Sequence, residues 1–557
     1  MAEAEGTHRP SADEDAITLD AGAANSAVRR LNETNTKFVA LSGEAKLATD
    51  EEHAMTIREA LRRYPKAVAW SVLFSTAIAM EGFDLVLISA FFAYPSFTKK
   101  YGVPSHSKKG GYQIPAPWQA GLSNGARVGE ILGLLLNGYL AERFGMKRTM
   151  IGTLILLSGL LFIPFFAPNI ETLQVAEILL GFPWGVFQTL TTAYASEVCP
   201  VVLRGYLTTY VNMMWGVGQI ICTGVLRSLL ARTDQWSYRI PFALQWMWIP
   251  GLLIGLALAP ESPWWLVRRG RYADARKALT SLTSSRSADE LDQTVSMMRH
   301  TDEVEKEISS GTSYINCFQG VNLRRTEITC IAWVIQASCG ASLIGYSAYF
   351  FEQAGLPTTV SFDFSIGNYG IAIVGVFISW FAMTYLGRRT IYVGGLALCC
   401  TIMFTVGFVS LAHTTAASYA TGTLLLCFTL TYDVTIGTLA YSLVTEIPSS
   451  RLRTKTIVLA RALYNCQGII NGVITPYMLN PDFWNWKGKA GFFWGGLGLV
   501  YLVWAFFRLP EPKGCTYEEI DILFEQGISA RKFKSTKVDL FQMEPRTELQ
   551  TVMAKEE

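Results

Sequence analysis

Charge is what this 557-residue chain has little of. Asp, Glu, Lys and Arg make up 17% of it, against about 25% in soluble domains. The net charge is only +2, so no basic footprint for a nucleic-acid partner is present. Ten cysteines (Cys199, Cys222, Cys317, Cys330, Cys339, Cys399, Cys400, Cys427, Cys466 and Cys515) are scattered without metal-ligand spacing. Most lie in apolar runs and read as small core residues. There is no Walker-type phosphate loop, which excludes work powered by ATP on this chain. No nucleophile–base set or metal cluster stands out, so an enzyme is disfavoured and neither cofactor nor metal is expected. A signal peptide is missing too, since roughly 65 polar residues precede the first apolar run.

Apolar length is what the chain has in plenty. Half of its residues are hydrophobic. Runs near the ~20 residues needed to cross a bilayer fall at 67–95, 119–141, 149–168, 172–195, 206–229, 241–259, 327–352, 364–386, 390–412, 419–444, 456–478 and 490–508. The polar insertion 260–325 divides them six and six. Three features of the first set recur in order about 240–250 residues later. Gly138 to Arg148 is echoed by Tyr385 to Arg389, Glu197 with Arg204 by Glu446 with Arg453, and Pro260-Glu261-Ser262-Pro263 by Pro510-Glu511-Pro512. Each follows an even-numbered run, so the halves are parallel repeats. The expected fold is an all-α membrane protein: twelve transmembrane helices in two six-helix halves with a helical linker. The expected divisions are a tail at 1–65, halves at 66–260 and 326–509, a linker at 261–325 and a second tail at 510–557.

Lys and Arg in short loops set orientation. Arg143, Lys147, Arg148, Arg204, Arg388, Arg389, Arg451, Arg453 and Lys455 put their loops, the linker and both tails on the cytoplasmic side. Lys99, Lys100, Lys108 and Lys109 disagree but are outvoted. Trp484 and Trp486 read as an interfacial belt.

Seven charges sit inside the apolar runs: Glu81, Asp84, Glu130, Glu177, Asp433, Arg127 and Arg461. Each costs at least ~2.5 kcal/mol near the bilayer centre, so such residues face the bundle interior and mark an ion or substrate path. Two salt bridges would leave three carboxylates over, and a buried carboxylate without a partner takes up a proton. That surplus points to a proton-coupled carrier. Glu81 and Asp84 share one helix face, as do Arg127 and Glu130. Glu81 and Asp84 form either a coupled proton site or a structural pair locked to arginine. Arg127 either serves that site or pairs with Glu130. Arg461 snorkels to the cytoplasmic surface, neutralises a carboxylate or helps gate. Asp433 is either sealed in a structural hydrogen bond or functional.

At its loop motifs the chain resembles the sugar-porter branch of the major facilitator superfamily, over about residues 65–525. The carriers of the likeness are Pro260 to Val267, Glu197 to Gly205, and Glu446 to Arg453. Within the branch it is most similar to fungal maltose (α-glucoside) permeases, through Pro183 to Leu190, Tyr194 to Pro200, Pro241 to Trp246 and Gly345 to Leu356. The resemblance implies proton symport of maltose-like sugars across the plasma membrane, with sugar, protons and lipid as partners. It places Asp84 where proton-coupled sugar porters carry an aspartate. From the residues alone, Glu81, Glu130 and Glu177 are the other candidates for proton coupling, and Arg127 and Arg461 the charge partners; the general sugar-porter pattern lacks Arg127 and Glu130.

The expected sugar contacts are Gln336, Tyr346, Tyr349, Ser342, Asn212, Tyr441 and Asn465. The hexose-porter pattern is altered at Glu177, Ala337, Ser342, Thr438, Tyr441 and Asn212, which argues against a plain glucose carrier. The expected cytoplasmic gate is Glu142, Arg143, Glu197, Arg204, Glu261, Arg388, Glu446 and Arg453, locking the halves while the carrier faces outward. Met146 and Thr384 replace usual charges, which weakens the second clasp. A facilitator, a symporter of another oligosaccharide or hexose, and a transporter-like sensor are the alternatives. The short second tail disfavours the sensor.

Overall fold

The computed structural model describes residues 56–536, apart from 106–110, 285–287, 310–312, 413, 450–451 and 514–516. The Asn32-Glu33-Thr34 glycosylation sequon with the rest of the first tail up to residue 55, and Lys108, Lys109, Arg451 and Cys515, lie outside the described residues.

Every apolar run expected from sequence lies on a helical rod. Spans 1 to 6 are Pro65–Phe91, Ala116–Phe144, Met146–Phe166, Ile170–Val198, Val201–Leu229 and Trp236–Leu258. Span 7 runs through Gly320–Ser338, Ala341–Gly345 and Ser347–Gln353. Spans 8 to 12 are Thr358–Tyr385, Arg388–Ala412, Thr415–Glu446, Arg453–Leu479 and Lys487–Arg508. Among the described residues, nine of these rods are long and apolar enough to cross a membrane. The other three, spans 2, 5 and 7, are more polar, and they supply Arg127, Gln219 and Gln336 to a central cavity.

Two rods are broken where the cavity lies. Span 7 stops at Gly340, whose φ of 112° suits glycine alone. Span 10 breaks at Thr435 (φ −119°, ψ −88°) between Thr415–Val434 and Ile436–Glu446.

Small residues let the rods of the first half approach closely. A Cβ on Gly129 would meet Ile178 O at 2.1 Å, and one on Gly185 would meet Glu130 O at 2.2 Å. Spans 2 and 4 therefore touch backbone to backbone. Spans 1 and 5 do the same, with Gly82 against Trp215 O and Gly218 against Ala79 O. In lipid this tight packing, rather than water exclusion, drives helix association.

The halves do not meet evenly along their length. One apolar core runs through the second half and takes in Phe83, Phe91, Phe97, Leu122, Ile170, Leu226 and Phe242 of the first half. Most of these lie toward the end remote from the linker. The linker end of the first half has its own core around Phe74, Trp184, Phe187 and Tyr194. Hydrogen bonds repeat this bias. Ser89 Oγ donates to Gly345 O (2.7 Å), Asn480 Nδ2 to Ile114 O (2.9 Å) and Ser105 Oγ to Asp482. Arg227 pairs with Asp363 at 2.7 Å. The halves are thus sealed together at the remote end.

The linker folds as Pro263–Arg268, Tyr272–Leu282 and Ala288–Ser309. Its helices share a small core of Leu266, Ala275, Leu279, Leu291 and Met298. It is tied to the first half: Ser284 N donates to Arg63 O at 3.0 Å, and Trp265 Nε1 to Glu142 O at 2.8 Å.

Candidate functional site

Between the halves lies a cavity of about 230 Å³. Spans 1, 2, 4 and 5 face it from one side with Ser89, Arg127, Glu177, Trp215 and Gln219. Spans 7, 10 and 11 answer with Gln336, Ser342, Tyr346, Tyr432, Asp433, Tyr441, Tyr464 and Asn471. The broken rods explain part of this lining. Just past the break at Thr435, Gly437 O accepts from Gln336 Nε2 at 2.7 Å. Gln336 Oε1, Tyr346 Oη and Glu177 Oε1 are buried there without a hydrogen-bond partner. Such convergent, unsatisfied polar atoms beside aromatic rings suit a ligand rich in hydroxyls.

Of the sugar contacts expected from sequence, the structure brings Gln336, Ser342, Tyr346 and Tyr441 to the cavity. Tyr349 is fully buried away from it, where Gln113 Nε2 donates to its hydroxyl at 2.7 Å. That bond is another tie between the halves. Asn465 is buried outside the lining. The side chain of Asn212 lies outside the described residues. Sequence reasoning missed Asn471, whose Nδ2 donates to Ala337 O (2.8 Å), and Tyr432, whose hydroxyl donates to Gln336 O (3.0 Å).

The intramembrane charges fall into two groups. Glu177, Asp433 and Arg127 line the cavity. Arg127 forms no ion pair with Glu130; its guanidinium lies against Gly468 of span 11. Asp433 is not sealed by a side-chain hydrogen bond; its side chain reaches the cavity. Asp84, Glu81 and Glu130 are buried beside it. Asp84 accepts from Gln245 Nε2 (2.6 Å) and Trp184 Nε1 (3.2 Å). Glu81 accepts from Gln188 Nε2, and Gln188 Oε1 accepts in turn from Arg461 Nη2 at 2.7 Å. Arg461 thus turns inward rather than snorkelling, lying 4.8 Å from the Tyr464 ring centroid and 5.7 Å from that of Trp333. No ion pair joins an arginine to any of the five intramembrane carboxylates among the described residues. Neutral hydrogen-bond donors hold Asp84 and Glu81 instead. Gln188, Trp184 and Gln245 lie in stretches that carry the permease likeness, but an uncharged side chain in an apolar run gives no sign of which carboxylate it will hold.

At the linker end, Glu142, Arg143, Glu197, Arg388 and Glu446 make contacts within their own half or with the linker. Glu197 pairs with Arg268 of the linker (2.9 Å) and accepts from Ser262 Oγ. Arg388 pairs with Glu446 at 3.4 Å. Arg143 Nη1 donates to Tyr139 Oη at 3.3 Å. The carbonyl of Glu142 accepts from Trp265 and from Arg269 Nη2 (2.7 Å). The side chain of Arg204 lies outside the described residues, and Arg453 opens span 11.

Glu261 has a different role. Its Oε1 accepts from the backbone N–H of Met146 (2.9 Å), Lys147 (3.1 Å) and Ser262 (3.1 Å), so it caps the start of span 3. Burial pushes its carboxyl above the usual range, and these N–H bonds pull it back. Glu511 is the matching residue of the second half: it accepts from Arg388 N (2.8 Å) and Arg389 N (3.2 Å) at the start of span 9. The repeat in sequence is a repeat in mechanics.

Known proteins share both sequence and fold with this chain. The family model described as sugar (and other) transporter matches residues 70–524. The general alpha-glucoside permease of Saccharomyces cerevisiae is 45% identical over 505 residues, 89% of this chain and 82% of that protein. Maltose permease MAL61 of the same yeast is 44% identical over the same shares. Among solved structures, the inward-open xylose transporter XylE of E. coli superposes with a TM-score of 0.67 at 18% identity, covering 82% of this chain and 99% of that one. XylE bound to 6-bromo-6-deoxy-D-glucose gives 0.65 at 20% identity, covering 82% and 98%. Twelve rods in two repeated halves, a polar cavity between them and these matches lead to one conclusion: the chain belongs to the sugar transporter family of the major facilitator fold.

Proposed function

We propose that this protein carries maltose or a related α-glucoside into the cell together with a proton, by alternating access, in the plasma membrane. The linker and both chain ends face the cytoplasm in this reading. One observation carries it: five carboxylates lie inside the bundle and, among the described residues, none forms an ion pair with an arginine. Uncoupled carriage of a neutral sugar gives no reason to bear that cost. The permeases that share nearly half of its residues are named for α-glucosides, which supports the sugar class.

Asp84 is the proton carrier in this reading, and Glu81, Glu130 and Glu177 are its neighbours. Gln336, Ser342, Tyr346 and Tyr441 hold the sugar from the second half, hydroxyls on amide and phenol, ring faces on the tyrosines. Rocking of the halves about this midplane site exposes it to each side in turn.

The test is extracellular alkalinisation when maltose is added to transporter-deficient cells expressing the chain, with Asp84→Asn as control. Alkalinisation that disappears in the variant supports the reading. Alkalinisation that survives moves the proton to another carboxylate. Labelled maltose uptake without a pH change makes the protein a facilitator. Neither signal from protein at the cell surface overturns the sugar assignment.

A further inference from the structure

We propose that Gln188 is a positioning residue that ties the proton step to the inner exit of the cavity, through a bridge between the two halves. The proposal rests on the proton-coupled reading above.

Gln188 belongs to span 4, and so does Glu177, which lines the cavity. Eleven residues separate them, which is about 16 Å of helix toward the linker end. The contacts of Gln188 therefore lie on the linker side of the cavity. They are two. Nε2 donates to Glu81 of span 1, and Oε1 accepts from Arg461 of span 11. A carboxamide can present a donor to an anion and an acceptor to a cation at once. The amide here conducts a pairing between a carboxylate of the first half and a guanidinium of the second.

Both ends of the bridge are fixed. Glu81 is fully buried. Arg461 is pinned by the rings of Trp333 and Tyr464, both from the second half. Gln188, by contrast, is only partly buried. The other groups facing Glu81 are Glu130 of span 2 and Trp215 of span 5. Asp84 sits one turn further on its own helix, occupied by Trp184 and Gln245. Arg127 and Arg461 both stand near Glu130.

The bridge has two strengths. With Glu81 ionised, both hydrogen bonds are charge-assisted, roughly twice as strong as neutral ones. A proton arriving at Glu81 has a place to sit on Oε2, because the amide of Gln188 is engaged by Oε1. Glu81 is then neutral, its bond to the amide loses charge assistance, and the second half loses the anion that its arginine answered. The halves part more readily on the linker side. Loss of that proton to the inner solution restores the carboxylate and the bridge. No other bond changes: one proton is taken up from outside and released inside.

The test uses the full chain in transporter-deficient cells, with Gln188→Met, which keeps the volume, and Gln188→Glu, which offers Arg461 a direct partner. Surface abundance, labelled maltose uptake across pH and the ratio of protons to sugar are measured. Gln188→Met is expected to lower the proton-to-sugar ratio by at least about fivefold, the scale of a modest coupling free energy, and to flatten the pH profile. Gln188→Glu is expected to slow uptake at neutral pH and recover in acid, as the new pair is protonated. Adding Gln188→Met to Glu81→Gln should change little further, because the bridge has already lost its charge. Two results overturn the proposal: a wild-type ratio and pH profile in Gln188→Met at the cell surface, or effects of the two substitutions that simply add. Failure of the wild type to alkalinise the medium sinks the proton reading itself, which is a separate outcome.

Discussion

Gly181→Ala is the most exacting check on how the first half is packed. The added Cβ would stand 2.0 Å from Ala126 O and 2.8 Å from Gly129 Cα. A C–H group ordinarily approaches a carbonyl oxygen to about 3.3 Å, so spans 2 and 4 would have to separate by about 1.3 Å. The obstacle is backbone, which no rotamer change can move. Overpacking of this kind costs about 1–3 kcal/mol, a fall of about 5- to 150-fold in the ratio of folded to unfolded protein. Gly152→Ala on span 3 is the control, since no atom lies within 4 Å of its added Cβ. There alanine's better helix propensity is worth about 0.5–1 kcal/mol in the other direction. Purified proteins in detergent, unfolded by heat and followed by size-exclusion, should rank Gly152→Ala at or above wild type and Gly181→Ala well below. Equal melting of the two variants would refute the close contact between these helices.

Two further predictions concern the ends of the bundle. Glu511→Ala strips the start of span 9 of its acceptor for Arg388 N and Arg389 N; a cost of about 0.5–2 kcal/mol is expected in denaturant unfolding, as for loss of a helix cap, with Glu511→Gln recovering part because its carbonyl still accepts. Tyr349→Phe leaves buried Gln113 without its partner, so stability should fall by about 1–3 kcal/mol while the Michaelis constant for maltose stays within about twofold, since no sugar contact is lost; a large rise in that constant with unchanged stability would return Tyr349 to the sugar site.

The sequence was legible where physics acts on long stretches. Apolar length placed every rod, and the parallel repeat of Glu261 and Glu511 announced two equivalent halves before any contact was seen. Charge in an apolar run also marked the interior correctly, as Asp433 and Arg127 at the cavity show. What one sequence could not give was register across the bundle. Tyr346 and Tyr349 are three residues apart, yet one reaches the cavity and the other plugs the remote end. The break at Gly340 and the short helix Ser347–Gln353 set that difference. The same limit hid Gln188, whose meaning depends on Glu81 and Arg461 approaching it from two other helices.

The linker's attachment has a geometric consequence for movement. Its three helices travel with the first half, held by Arg63, Glu142 and Glu197. The next described stretch, Tyr314–Phe318, is moored to the second half, where Thr326 Oγ1 donates to Cys317 O at 2.8 Å. Four peptide units join Ser309 to Ser313, and fully extended they reach about 14 Å. The covalent connection is therefore a short leash: it sets a ceiling on how far the linker ends of the two halves can part, and lengthening it by a few residues would relax that ceiling without touching the cavity.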